Sequence, residues 1–219
     1  MEVTTKTAEL RKSLLPFLGM FTCDVGGSLL KVTHLYGYKD FDERDEVRAV
    51  AAANPEWTAY VKHSRQFISH QESKIMLQAA PVYAALGMPP TQAFVSPTAP
   101  APTAGSSRPA AKVVYELRNY QLHPGYGNVP SIIEAFKKGL PDKVASYPDG
   151  QLVFFGHTDV GMLNNVSELW RYPSAQSCIK ARVAARAVPK WKDTIGAVTP
   201  IVQHFTSSFL HPTKFSPWQ

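Results

Sequence analysis

Three short stretches place ionisable and aromatic side chains at every second position, the spacing that turns them to one face of a β-strand. In "YELRNY" these are Glu116, Arg118 and Tyr120. In "VSELWRY" they are Glu168 and Trp170, flanked by Val166 and Tyr172, and in "VTHLYGY" they are His34 and Tyr36, flanked by Val32 and Tyr38. An acid, a base and aromatic rings around a cavity would orient a small ligand and move a proton. The same residues have a plainer use: Arg118 and Glu168, on neighbouring strands, would neutralise each other in a filled interior. His34 stands in the third stretch where Glu168 stands in the second. A group that is often neutral at that place fits the plainer use.

Other residues capable of chemistry form no constellation. His70 and His204 recur at equivalent places, but no second ligand recurs with them at the close spacing a metal needs; a capping or helix-end role is expected. Cys178 has no base beside it in sequence and reads as structural rather than nucleophilic. The glycines of "GYG" around Tyr126 and "DVGG" at Asp24 mark turns, not a phosphate-binding loop. No pair of carboxylates stands out at catalytic spacing. No catalytic, cofactor or metal residue is therefore assigned, and His34, Tyr36, Arg118, Tyr120, Glu168 and Trp170 remain as barrel-lining candidates.

The elements that must position these side chains occur twice. With a constant shift of 134, Val32, Leu35, Tyr38, Arg48, Ala51, Ala53, Pro55, Trp57, His70 and Ser73 fall on Val166, Leu169, Tyr172, Arg182, Ala185, Ala187, Pro189, Trp191, His204 and Ser207. Identities clustered at turns and aromatics indicate a duplication. Each copy reads as a strand, an Ala/Arg-rich helix, a second helix restarted by proline, and a closing strand. Asn54 caps the restarted helix, Pro55 fits its first position and Trp57 anchors it; Val188 is a poor cap for the copy at Pro189 and Trp191. The second copy has in addition an opening strand, "KVVYELRNYQL", and a helix, "SIIEAFKKGLPDKVAS", with Ser131 and Glu134 spaced as a capping box. It therefore reads β-α-β-β-α-β, the ferredoxin-like arrangement. Domain boundaries follow: a truncated unit over 1–80, a Pro/Ala/Ser-rich semi-rigid linker over 81–111, and a complete unit over 112–219.

The stretches "YELRNYQLHPG", "GMLNNVSELWRYPS", "HPTKFSPWQ" and "NPEWTAYVKHSRQFISHQESKI" resemble the NIPSNAP family, over nearly everything except the linker. The resemblance implies an α+β fold of tandem ferredoxin-like units of the dimeric α+β-barrel kind. It also implies a mitochondrial location and roles in membrane trafficking or in flagging damaged mitochondria, with no activity established for the family as a group. The first unit departs from the pattern by lacking its initial strand and most of its first helix. In this fold that strand is internal, so the linker or a partner subunit is expected to cover the gap. Two functions follow as expectations: a non-catalytic scaffold, such as an accessory subunit of a larger mitochondrial assembly, or a monooxygenase-like enzyme or ligand binder with its site between the sheets. A filled interior favours the first. Protein partners, a homodimer or an intrachain pseudo-dimer, and peripheral membrane contact are expected; no cofactor and no nucleic acid are.

Bulk composition narrows the field a little further. The formal charge of +6 comes mainly from the second half, at residues such as Lys137, Lys138, Lys180 and Arg186, and reads as solvated helix faces. Two cysteines make no disulfide framework. The opening "MEVTTKTAELRKSLL" shows neither a secretory core nor the acid-free pattern of a mitochondrial presequence.

Overall fold

The computed structural model describes residues 2–97 and 112–219; the remainder of the expected linker, 98–111, lies outside them. Seven strands, β1 (Phe17–Val25), β2 (Val32–Tyr36), β3 (Ile75–Gln78), β4 (Val114–Leu122), β5 (Gln151–Val160), β6 (Asn165–Tyr172) and β7 (Val202–Pro212), form one sheet in the order β2-β1-β7-β4-β6-β5-β3. Every pairing is antiparallel. The helices are α1 (Glu2–Lys6), α2 (Ala8–Leu14), α3 (Phe41–Ala53), α4 (Pro55–Ser64), α5 (Ala80–Leu86), α6 (Asn128–Ser146), α7 (Ala175–Ala187) and α8 (Pro189–Val198).

The second copy is β4-α6-β5-β6-α7-α8-β7, with ladder order β7-β4-β6-β5 and its opening strand inside, as the ferredoxin-like pattern requires. The first copy contributes β1, β2 and β3, but β3 does not join its own pair. Instead β1 pairs with β7, with Cys23 opposite Leu210, and β3 pairs with β5, with Gln78 opposite Gly156. The two copies thus share one curled sheet within a single chain. Its ends, β2 and β3, correspond by the repeat to β6 and β7, the strands that flank β4.

The sheet is covered on both faces. The helix-facing side carries Val114, Tyr120, Phe155, Val166 and Trp170 against Phe136 of α6 and Trp191 of α8. The opposite side packs Phe21, Tyr115, Val153, Leu169 and Leu210 together with Trp218. All eight residues of β6 are buried, the signature of a strand with no solvent face.

The helix starts follow the sequence in most respects. Asn54 accepts from the Trp57 N–H at 3.0 Å, whereas Val188 offers α8 no side-chain cap. The capping box at Ser131 does not form. Helix α6 begins at Asn128, three residues earlier, and the Ser131 N–H already bonds the Gly127 carbonyl at 3.0 Å. Pro130 falls inside the first turn, where a missing N–H costs nothing, so it does not stop the helix.

The expected linker, 81–111, opens with most of helix α5. Helix α5 buries Val82 completely and Tyr83 almost so, against α6. Tyr83 and Thr91 share a hydroxyl hydrogen bond of 2.5 Å, and Thr91 Oγ1 donates to the Val153 carbonyl at 3.0 Å. These apolar residues stand just before the proline-rich composition begins and anchor it to the second copy.

Candidate functional site

Between the sheet and the helices of the second copy lies a buried group of charges. Helix α6 brings Lys143 Nζ to 3.3 Å from Glu168 Oε2, over the rings of Trp170 and Trp191 at 4.1 and 4.3 Å. Glu168 also accepts from Tyr120 Oη and from Trp170 Nε1, each at 2.5 Å, and Arg118 Nε lies 3.9 Å away. Two residues from Arg118, Glu116 accepts from Arg182 Nη2 at 2.6 Å, Ser207 Oγ at 2.8 Å and Arg118 Nη1 at 3.2 Å. Cys178 Sγ donates to its other oxygen at 3.2 Å.

Burial alone would raise both carboxyl pKa values. Lys143 and Arg118 at Glu168, and Arg118 and Arg182 at Glu116, outweigh it and hold both below the ordinary carboxylate value. Burial, then the Glu116 charge, pushes the Cys178 thiol up to about 12, so it is a hydrogen-bond donor rather than a nucleophile. Each acid is saturated by donors already in the chain. Such an arrangement fixes register and packing; it leaves no lone pair or proton facing a substrate.

The first copy repeats the arrangement without the acid. Arg11 of α2 is buried and donates to Tyr36 Oη and, at 2.7 Å, to Tyr60 Oη. Its Nη1 lies 3.5 Å from His34 Nδ1, its guanidinium lies 5.1 Å from the Trp57 ring centre, and its Nε has no partner. Loss of water around the ring and then the Arg11 charge lower the His34 pKa, and the imidazole is neutral at pH 7. The repeated tryptophans therefore have one job: each forms the wall of a slot for a basic side chain delivered by the helix that precedes its copy's paired strands.

The six candidates come together in two groups, Arg118, Tyr120, Glu168 and Trp170 in one and His34 and Tyr36 in the other. None lines the barrel interior as expected. They face the helices. Alternation separates the two faces of a strand but cannot say which is inner when both are covered. The inner face instead carries Tyr115, Leu169 and Arg171. Arg171 is buried there and donates to the carbonyls of Gln219 and Pro97, each at 2.8 Å, while Trp218 meets Phe94 edge-on at 5.4 Å. Side chains fill the interior, and the segment around Trp218 plugs one end. Two hollows, of about 300 and 190 Å³, lie outside the barrel beside α5, lined by residues such as Tyr83, Met88 and Leu152, and neither contains a candidate residue.

Sequence reasoning passed over Arg11, Lys143 and Arg171. Lys143 and Arg11 carried a signal, since each is a basic residue near the end of the helix that precedes its copy's paired strands. His70 and His204 share no role: His70 Nε2 lies 3.0 Å from Glu72 in an exposed loop and His204 is exposed on β7. No grouping of three or more metal-ligand side chains occurs among the described residues.

Fold and site together define a duplicated α+β-barrel module whose charges are sealed between its layers. The NIPSNAP family profile matches residues 2–81 and 115–217, and the chain belongs to that family. It is 29% identical over 222 residues to the human protein NipSnap homolog 3A, covering 99% of this chain and 78% of that one. Human NipSnap homolog 3B is 30% identical over 222 residues, with the same coverage. Among solved structures, a putative monooxygenase from Lactobacillus acidophilus superposes over 96% of this chain and 83% of its own with TM-score 0.57 at 11% identity, a likeness of fold alone.

Proposed function

We propose that this NIPSNAP-family chain is a non-catalytic interaction scaffold, working as a mitochondrial protein and as an accessory subunit of a larger assembly. The observation that supports this reading best is the filled interior. Phe21, Tyr115, Val153, Leu169 and Leu210 occupy the space in which a barrel enzyme would hold its ligand. The ionisable groups that sequence reasoning offered for chemistry are instead saturated beneath the helices. The mitochondrial location is carried over from the family resemblance, and so are the trafficking and mitochondrial-quality roles. Native mass spectrometry of mitochondrial extracts from the source tests the reading. The chain is expected in a defined complex with stoichiometric partners. Recovery as a free 24.2 kDa monomer, or with a small organic ligand retained in the interior, would overturn it.

A further inference from the structure

We propose that the end of the barrel away from Trp218 is a membrane-docking rim, at which Leu29, Leu30, Tyr126, Met162 and Leu163 enter the interface of a lipid bilayer. The proposal goes beyond the scaffold reading and does not rest on it, since a bilayer is not one of the protein partners that reading requires.

Topology gathers these residues. Strands β1 and β4 both run antiparallel to β7, and β4 and β5 both run antiparallel to β6, so β1, β4 and β5 point the same way and end on one rim. The turn after β1 carries Leu29 and Leu30, the loop after β4 carries Tyr126, and the turn after β5 carries Met162 and Leu163. Strands β7 and β4 separate β1 from β6, which places the two hairpin tips roughly 14 Å apart with the Tyr126 loop between them. Trp218 lies at the opposite rim, where its N–H bonds the Leu18 carbonyl near the start of β1.

Exposure at the tips belongs to the module rather than to one copy. Both hairpins open on Asp-Val-Gly, at Asp24 and Asp159, and close on a valine, Val32 or Val166, and each holds an adjacent apolar pair between. Leu29 and Leu30 are 67% and 95% exposed, and Met162 and Leu163 are 69% and 57% exposed. Tyr126, set between Gly125 and Gly127, is fully exposed. A lone exposed apolar residue is ordinary, but the same pair at both tips of one rim is not.

The chemistry of the tips suits lipid. Residues 26–31, 124–127 and 161–164 hold one charged side chain, Lys31, and no acid; Asp24 and Asp159 stand back on the strands. The Lys31 N–H bonds the Ser28 carbonyl at 3.0 Å, and the Asn164 carbonyl accepts from the Leu122 N–H at 2.8 Å. Both turns therefore carry part of their backbone pairing with them into an apolar layer. Leucine and methionine fit the acyl boundary, tyrosine fits the headgroup level, and lysine reaches phosphates from an apolar stem. Affinity then grows with the apolar area inserted and with the attraction of Lys31 to anionic headgroups.

The test floats the 219-residue chain with vesicles of equal parts phosphatidylcholine and phosphatidylglycerol, and locates the contact by amide hydrogen exchange. The chain is expected to float, with exchange slowed at 26–31 and 161–164. The double variants Leu29→Ser with Leu30→Ser, and Met162→Ser with Leu163→Ser, leave the charge unchanged and should each lower the partition constant at least about tenfold. Val183→Ser removes an apolar side chain of similar exposure, 59%, from α7, and should leave the partition unchanged. Should a double variant fail to fold, the exchange pattern of the unaltered chain still decides. Absence of flotation, protection confined to other segments, or an equal loss with Val183→Ser would overturn the proposal. So would self-association without lipid that the tip variants abolish, which would make the rim an interface between copies.

Discussion

Glu168 illustrates how a residue that reads as chemistry in a sequence becomes architecture in three dimensions. Its lowered pKa makes a definite statement about stability. A carboxyl whose folded pKa lies below its unfolded value stabilises the fold above the unfolded value, near 4.5, and that contribution is lost as pH falls through the folded value. Thermal unfolding should therefore show a falling midpoint below about pH 4.5. Glu168→Gln should flatten part of that limb. At pH 7 it should cost about 3–5 kcal/mol, because Lys143 and Arg118 would be left buried with too few acceptors. A variant that matched the parent at pH 7 and kept its acid limb would contradict the role given to Glu168. Pairing between Arg118 and Glu168 was legible from their alternation on adjacent strands. The place of Lys143 and Arg11 near a helix end was a signal, but their partners were not legible, because a helix reaches across its layer to a strand far along the chain, and no local spacing records that contact.

At the scale of elements, the two proline-started helices offer a matched pair. Asn54 and Val188 have nearly the same backbone, φ and ψ of −78° and 120° against −80° and 117°, but one accepts a hydrogen bond from its helix and the other does not. Removing the cap with Asn54→Ala should cost about 1 kcal/mol in urea unfolding. Val188→Asn, with its backbone already set, should return a gain below about 1 kcal/mol, net of the lost packing of Val188. These helices were readable because caps, prolines and apolar spacing act within one turn. The start of α6 differs from the expected one since Pro130 and Ser131 suit two competing starts, and packing of Ile132 and Phe136 accompanies the earlier one. Helix α5 was hidden by its nearness to a proline-rich stretch. Val82 and Tyr83 order it through burial rather than through local propensity.

The molecule as a whole is a duplicated module in which the copies complete each other. The duplication was visible as a constant shift, but which edge joins which was not, because a shift states equivalence and says nothing of pairing. The joint can be tested directly. Cys23 and residue 210 face each other across β1 and β7, so Leu210→Cys should form a disulfide with Cys23 within one chain under mild oxidation. Cross-linked dimers with no intrachain bond would assign the pairing to two chains instead. The most direct measurement of the central claim is amide hydrogen exchange on the isolated 219-residue chain. An incomplete barrel predicts slow exchange along the β1–β7 and β4–β6 ladders, and fast exchange at the outward-facing amides of β2 and β3. Slow exchange along the whole of β2 and β3, with nothing added, would contradict it.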